Sequence, residues 1–374
     1  MKVWVVSHAY VAPVNHDKLV ALAAWPDIDL TVLAPRRWPA AFGPLTVPPA
    51  HGPYRVVGAR VVLGGHVGGY VFCQGLGALR RARPDVLHAE VEPWSLAAWQ
   101  CALAAAPARL VLFTWENVAH PRRRLARVIE RIVLRRAAFV IAGSEAARAR
   151  MRSLGVPNEH LAVLPQFGVA PERYEAGDPT QAKVTFAVGS RRDRPVVGYV
   201  GRLVEEKGVD LLIRAMDDAD LEARLLVVGD GPARAGLQRL VADHARRLEA
   251  HFTGAVADAE IPHYLATMDV LVLPSRTTVR WAEQFGHVLI EAMAAGVPVV
   301  GSASGAIPEV VGDAGLIVAE GDAGALRRAL GRVLHDGTLR KDLAQRGRQR
   351  VRERYTHAVI AAAQHDIYAR LLAA

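Results

Sequence analysis

The chain is expected to fold as an α/β protein with two Rossmann-like domains of similar size. Each would be a parallel sheet flanked by helices, the carboxyl ends of the two sheets facing a deep interdomain cleft. Three observations carry this. Its 374 residues exceed what one hydrophobic core usually supports. Short apolar runs alternate with amphipathic segments along the whole length, the rhythm of βα units. That rhythm breaks once, in the Pro-, Gly- and charge-rich stretch "LPQFGVAPERYEAGDPTQAKVTFAVGSRRDRP" (164–195), and then restarts.

In the first half, strands are expected at 2–7, 30–34, 85–89, 109–113 and 138–142, with helices at 16–24, 68–82, 94–105 and 122–136. The second half opens on the strand "PVVGYVG" (195–201). There follow the helix "VDLLIRAMD", the strand "ARLLVVG", the helix "ARAGLQRLVADHARRLE", the strand "HFTG", the helix "EIPHYLATM" and the strand "VLVLPS". A helix beginning near Gly286 and closed by Gly296 and Pro298 comes next, then the strand "PVVGS" and a polar helical tail. The expected boundaries are a first domain at 1–170, a linker at 171–194 and a second domain at 195–355. Residues 356–374 should form a helix packing back on the first domain.

Composition narrows the class. Half the residues are hydrophobic and 22% are charged, as in a soluble globular chain. The richest apolar stretch, "LAAWQCALAAAPARLVLF", is broken by Gln100, Pro107 and Arg109, short of the roughly 20 apolar residues of a membrane span. "MKVWVVSHAY" reads as a first strand, its apolar run being too short for a signal segment. Cys73 and Cys101 fit neither a disulfide framework nor a metal site. The expected location is the cytoplasm. Residues 1–180 hold 21 Lys+Arg against 13 Asp+Glu, a balance of +8, so the basic character sits in the first half. With 41 Arg and only 5 Lys, each lysine departs from the chain's own preference and stands out for it.

Two stretches carry chemistry. In "WAEQFGHVLIEAMAAGVP" (281–298), Glu283 falls in the loop before a helix and Glu291 about one and a half turns inside it. The amides of Phe285 to Val288 form the positive end of that helix, suited to an anion. An E-x7-E alone is common by chance, and two solvated glutamates would be the plainer reading. In "GYVGRLVEEKGVD" (198–210), Gly201 and Gly208 permit a tight strand-to-helix turn bracketed by Arg202 and Lys207. Two cations at a strand's carboxyl end suit a diphosphate leaving group without a metal. Pairing with Glu205 and Glu206 in a solvated loop is the equally plain alternative. The G-x-G-x-x-G dinucleotide fingerprint is missing, which disfavours a dehydrogenase.

These stretches recur in a fixed order with "LLVVGDGPARAGLQ", "HFTGAV", "MDVLVLPS" and "EQFGHVLIEAMAAGVPVVGSASGAIPEVVGDAGLIV". Over about 195–320 the set closely resembles the C-terminal domain of retaining, GT-B-fold glycosyltransferases of family 4 (group 1). The resemblance implies that this domain binds a nucleotide-diphosphate sugar. Arg202 and Lys207 would hold the diphosphate and Glu291 the ribose hydroxyls. Glu283 and the amides of Phe285, Gly286, His287 and Val288 would hold the sugar and phosphate. Gly201 would line the donor site, and segments 229–232 (Gly229, Asp230) and 254–256 (Val256), with Pro274–Ser275, would surround base and ribose. It further implies transfer of a hexose-type sugar to an acceptor hydroxyl with retained stereochemistry, the leaving phosphate accepting the proton. Polysaccharide, cell-surface glycan or glycolipid synthesis would be the setting. Neither a metal nor a separate cofactor is expected. A nucleotide-sugar epimerase of the same fold and a non-catalytic nucleotide- or glycan-binding protein are the alternatives.

The first half matches the family less closely. "SHAYVAPVNHDK" stands where members usually carry a Gly-Gly loop, and Glu116 in "FTWENVAH" where many carry a histidine. His8, Asn15, His16, Glu92, Trp94, Glu116, Asn117 and His120 are the candidates for acceptor contact, each as readily a cap or loop partner. The acceptor would be a glycan, a lipid-linked glycan or a small molecule, and not a nucleic acid. In "PRRRLARVIERIVLRR" (121–136), Leu125, Val128, Ile129, Ile132 and Val133 form one apolar stripe. The favoured reading packs that stripe on the sheet and leaves a solvated basic face. The second docks the basic face on anionic lipid, which would place the protein peripherally at the inner face of the membrane. "DID" (27–29) and "DAD" (218–220) resemble metal-binding D-x-D but sit at helix–strand joins.

Overall fold

The buried apolar runs of the chain become the inner strands of two parallel sheets. The computed structural model describes residues 1–39, 43–184, 194–217, 221–244 and 248–373, which divide into two units, Met1–Gly168 with His357–Ala374, and Val169–Thr356. The "DAD" at 218–220 lies outside the described residues.

The first unit is built on seven parallel strands: β1 (Lys2–Val6), β2 (Asp29–Pro35), β3 (Arg55–Ala59), β4 (Val86–Ala89), β5 (Arg109–Thr114), β6 (Phe139–Ala142) and β7 (Leu161–Val163). Their order is β7-β6-β5-β4-β1-β2-β3. The inner strands are buried on both faces, so their sequences are near-continuous Val, Leu and Ile. One face packs helices Leu76–Ala82, Leu96–Ala104, Arg124–Arg136 and Glu145–Ser153 through Leu79, Ala97, Cys101, Ile129, Val133 and Met151. The other face packs His16–Ala23 and the terminal helix His357–Ala373 through Leu19, Leu22, Ile360, Ile367 and Tyr368.

The second unit repeats the plan with six parallel strands: β8 (Val196–Val200), β9 (Arg224–Val228), β10 (Ala250–Gly254), β11 (Val270–Leu273), β12 (Val299–Ser302) and β13 (Gly315–Val318). The order β10-β9-β8-β11-β12-β13 is that of a Rossmann sheet. It reverses between β8 and β11, as the first sheet does between β4 and β1. Open α/β sheets bind ligands outside the carboxyl ends of the strands at such switch points.

Three differences from the sequence-based expectation have physical causes. The expected helix 68–82 is confined to Leu76–Ala82. Gly68, Gly69 and Gly75 each weaken a helix by about 1 kcal/mol, and Val71–Phe72 pairs antiparallel with Val61–Val62 instead. Strands β3, β7 and β13 had no counterpart because all three are sheet edges and only partly buried, so no continuous apolar run marks them. The expected linker begins as part of the second unit. Pro171 starts a short helix, Pro171–Glu175, that buries Tyr174, and Gly177 lies where a Cβ would meet the Pro262 carbonyl oxygen at 2.4 Å. Residues 185–193 of that linker lie outside the described residues.

Candidate functional site

At the switch point of the second unit, the loops after β8 and β11 are brought together by a glycine. Gly208 adopts φ +68°, and a Cβ there would stand 2.1 Å from the Pro274 carbonyl oxygen. Only a residue without a side chain lets the two backbones approach this closely. Lys207 is thereby placed with its Nζ donating to Glu283 Oε2 at 2.6 Å. The Ser275 hydroxyl donates to the same oxygen at 2.8 Å. Lys207 also lies over the Trp281 ring, 5.0 Å from its centroid. Glu283 is 5% exposed, so it is not the solvated surface glutamate of the plainer reading. A carboxylate this buried needs its charge and hydrogen bonds met, and Lys207 and Ser275 contribute to both.

Helix His287–Ala295 begins immediately beyond. Its cap residue Gly286 has φ +75° and offers no side chain, so the cap itself places no side-chain hydrogen bond on the positive end of the helix. The positive φ strains any side chain at 286, and a Cβ there would also press on the Leu273 and Leu289 side chains at 2.8 and 2.9 Å. Phe285 is buried against Tyr355, ring centroids 5.7 Å apart, anchoring the chain before the turn. Glu291 Oε1 lies 3.0 Å from His287 Nδ1, one turn away on the same face. Burial, and then the Glu291 carboxylate, push the Tyr174 phenol well above its usual range.

The remaining expected donor residues are placed as follows. Arg202 is exposed on the β8 loop, its backbone carbonyl accepting from the Tyr199 hydroxyl at 2.8 Å. Gly201 and Gly229 hold positive φ where the β8 and β9 loops touch, and the Gly229 amide bonds the Gly254 carbonyl at 2.9 Å. Asp230 takes the Gly231 amide at 2.7 Å and Arg234 at 3.0 Å. Val256 is half-buried just beyond β10. Ser275 is fully buried, so its hydroxyl can serve only by orienting Glu283. Trp281 and Tyr174 were missed. An aromatic two positions before Glu283 was a readable signal for the first; nothing local announces the second.

The switch point of the first unit separates its candidates. His16 is fully buried, with Nδ1 2.9 Å from the Tyr54 hydroxyl and Nε2 2.7 Å from the Tyr10 carbonyl oxygen. Both ring nitrogens are spent on structure, so it is withdrawn as an acceptor contact. Glu116 is 5% exposed and held by Arg122 and by Arg150, the latter at 2.9 Å. It too is a structural ion pair. Asn15 donates to the Ala9 carbonyl at 2.7 Å, closing the loop after β1. His8 packs tilted against Trp38, ring centroids 4.8 Å apart, and burial pulls its imidazole down to about 4, keeping it neutral at pH 7. Trp94 lies under the Arg122 guanidinium at 5.0 Å; Asn117 is half-buried and His120 exposed. Asp27 and Asp29 of the "DID" are each engaged, by His365 at 3.0 Å and by Arg55.

Glu92 sits at the carboxyl end of β4. It accepts from the Thr114 hydroxyl at 2.6 Å and from the Trp115 amide at 3.0 Å. Burial raises its carboxyl to about 7 despite those bonds. The unfolded chain releases this proton near 4.5 and the folded one near 7. Stability should therefore fall as pH rises through that window and level off above it. Urea midpoints taken across it should show the slope in the wild type and a flatter one in Glu92→Gln. Equal slopes would mean that Glu92 ionises normally.

Sequence reasoning also passed over a fully buried group beside this loop. Lys18 pairs with Glu90, whose other oxygen accepts from the Tyr10 hydroxyl at 2.9 Å and from Gln166 at 3.1 Å. Burial pushes the Glu90 carboxyl up, but the Lys18 and His88 charges outweigh it and leave it below its ordinary range. His88 in turn bonds the Tyr368 hydroxyl at 2.7 Å, tying the terminal helix to β4. That Lys18 is one of five lysines was the available signal.

Two family descriptions match in chain order: a glycosyl transferase 4-like domain over residues 12–166, and glycosyl transferases group 1 over 181–350. A 2-deoxystreptamine glucosyltransferase of Streptomyces kanamyceticus is 34% identical over 60% of this chain and 57% of its own length. A GDP-mannose-dependent α-(1-6)-phosphatidylinositol monomannoside mannosyltransferase of Mycolicibacterium smegmatis is 37% identical over 52% of each. The chain thus spans a little over half the length of these relatives. HepE of Anabaena, solved in complex with UDP-glucose, superposes with a TM-score of 0.74 at 20% identity, covering 99% of this chain and 100% of that one. Paired domains in the family's order, on two Rossmann-like sheets that superpose on a solved member of the fold, show that the chain belongs to the group 1, family 4 type glycosyl transferases with the GT-B fold.

Proposed function

We propose that the protein is a retaining, metal-independent glycosyltransferase that moves a hexose-type sugar from a nucleotide-diphosphate sugar to an acceptor hydroxyl. The observation that carries this is the Lys207–Glu283–Ser275 cluster packed against the start of helix His287–Ala295 at a topological switch point. The cluster sets a cation, a carboxylate and the positive end of a helix around one location. A sugar diphosphate needs those three: positive charge for the phosphates and a fixed acceptor for sugar hydroxyls. The relatives named for glucosyl and mannosyl transfer, and the UDP-glucose complex of HepE, support the donor class.

In this reading Lys207 and Arg202 stabilise the charge that develops on the diphosphate as the bond from the anomeric carbon to phosphate oxygen breaks. The acceptor hydroxyl enters on the same face, and its proton passes to the departing phosphate oxygen. Glu283 holds sugar hydroxyls and Glu291 the ribose, each carboxylate already oriented by its neighbours. The first unit supplies acceptor contacts from the β1 and β4 loops, His8, Glu92 and Trp94 foremost. The lipid acceptor in the mannosyltransferase's name supports a glycan or glycolipid product.

A thermal-shift panel of uridine, guanosine and thymidine diphosphate sugars tests the donor site, since a ligand at 100 times its Kd stabilises by about 2.7 kcal/mol. One nucleotide series should raise the melting temperature; a flat panel would overturn the assignment. With the donor known, NMR of the product should show the donor's anomeric configuration. Inverted product would remove the retaining mechanism, and donor turnover without acceptor would favour the epimerase.

A further inference from the structure

Lys207 stands on a turn with little of its own to hold it. Glu205–Lys207 is a single 3₁₀ turn, closed by the Lys207 amide on the Val204 carbonyl and the Gly208 amide on the Glu205 carbonyl, each at 3.1 Å. Hydrogen bonds in such short turns have poor geometry, so the turn depends on its surroundings. The loop after β11 supplies them, largely through one residue. The Arg276 amide donates to the Glu206 carbonyl at 2.7 Å, immediately before Lys207. The Arg276 guanidinium donates through Nη2 to Asp210 Oδ2, also at 2.7 Å, just after it. Arg276 therefore grips both flanks of Lys207, one with its main chain and the other with its side chain.

The loop that carries Arg276 is itself fastened. Both carboxylate oxygens of Glu320 are taken by Thr277, one by its amide and the other by its hydroxyl at 2.8 Å. That hydroxyl also lies 3.0 Å from the hydroxyl of Ser304, which is fully buried. The chain then reverses, the Thr278 amide donating to the Trp281 carbonyl at 2.7 Å. At Glu283 the Ala306 amide pins the backbone, 2.9 Å from its carbonyl oxygen. Residues 276–283 thus form an anchored strap that meets Lys207 twice. Arg276 holds the backbone of its turn, while Trp281 and Glu283 face its ammonium.

The Arg276–Asp210 pair does little for folding. Its side chains are 29% and 34% exposed, and ion pairs so open to water add little stability. Asp210 lies in the first turn of helix Val209–Met216, where the positive end of the helix already favours a carboxylate. Neither partner needs the other for its charge. We propose that Arg276 is a positioning residue: with Asp210 it fixes where the Lys207 ammonium stands as the diphosphate departs. The inference rests on the role given to Lys207 in that step. A lysine ammonium on its flexible stem can reach many points. Glu283 and Trp281 select one of them only if the turn beneath stays still.

Kinetics and chemical labelling of the full chain test this together. Arg276→Gln and Asp210→Asn should each lower turnover about tenfold with the donor that the thermal-shift panel selects, since a displacement of about 1 Å at a reacting site can cost roughly 10²-fold. The thermal shift given by that donor, and the melting temperature without it, should stay at wild-type values. The double variant should be no slower than either single one, because both remove the same pair. Arg276→Lys should recover most of the rate. Lys207 also reports without any donor. A limiting dose of acetic anhydride, read by peptide mass spectrometry, should acylate it faster in Arg276→Gln than in the wild type, with exposed Lys341 as internal reference. Unchanged labelling together with unchanged turnover would overturn the proposal, as would a melting temperature that falls in step with the rate. Faster labelling at wild-type turnover would instead overturn the role of Lys207 itself, and Lys207→Ala would then turn over like the wild type.

Discussion

Lys207→Ala should lower turnover by roughly 10²–10³ while changing donor affinity far less. Loss of a single preorganised donor at a developing negative charge typically costs that much. Lys207 is fixed by the Glu283 carboxylate at 2.6 Å and the Trp281 face at 5.0 Å, so its ammonium needs little reordering as the diphosphate departs. Lys207→Arg should fail to restore the rate. The planar guanidinium is larger than an ammonium and cannot occupy the same point between Glu283 and Trp281. Steady-state rates with the donor found in the thermal-shift panel, alongside urea unfolding of each variant, separate chemistry from folding. A stable Lys207→Ala protein with wild-type turnover would remove Lys207 from the mechanism and leave its pairing with Glu283 as structure only.

Lys18→Met should strongly destabilise the first unit. It leaves Glu90 fully buried without the cation that compensates it, a situation that costs about 3–5 kcal/mol. At about 2–4 °C per kcal/mol for a unit of this size, melting should fall by roughly 6–20 °C. Adding Glu90→Gln should recover much of the loss. The amide carries no charge yet still accepts from the Tyr10 hydroxyl, 2.9 Å from Glu90 in the wild type. Calorimetry of the single and double variants gives the comparison. A Lys18→Met protein within 1 kcal/mol of wild type would mean that Glu90 takes up a proton and needs no cation.

The buried carboxylates mark where sequence reasoning reached and where it stopped. Glu283 and Lys207 were found separately, each by its local surroundings, 76 positions apart in the chain. Their direct contact depends on Gly208 passing under the Pro274 carbonyl, a long-range approach that no local pattern encodes. For Glu116 and His16 the same limit worked in reverse. Their residue types suit substrate contact, but Arg122 and Arg150 fold back on one, and Tyr54 and Tyr10 on the other.

By itself the sequence determined the alternation of buried strands and amphipathic helices, a helix start near Gly286 and the family to which the ordered motifs belong. These rest on periodicity, glycine placement and residue identity, which are local and survive in one dimension. Only the tertiary structure decided which polar side chains are spent on one another and which exposed apolar ones have no core to enter. Leu125, Val128 and Ile132 share a stripe with Ile129 and Val133, yet only the last two reach the core and the other three stay exposed. Burial is a property of what packs opposite, and the chain's own pattern does not contain it.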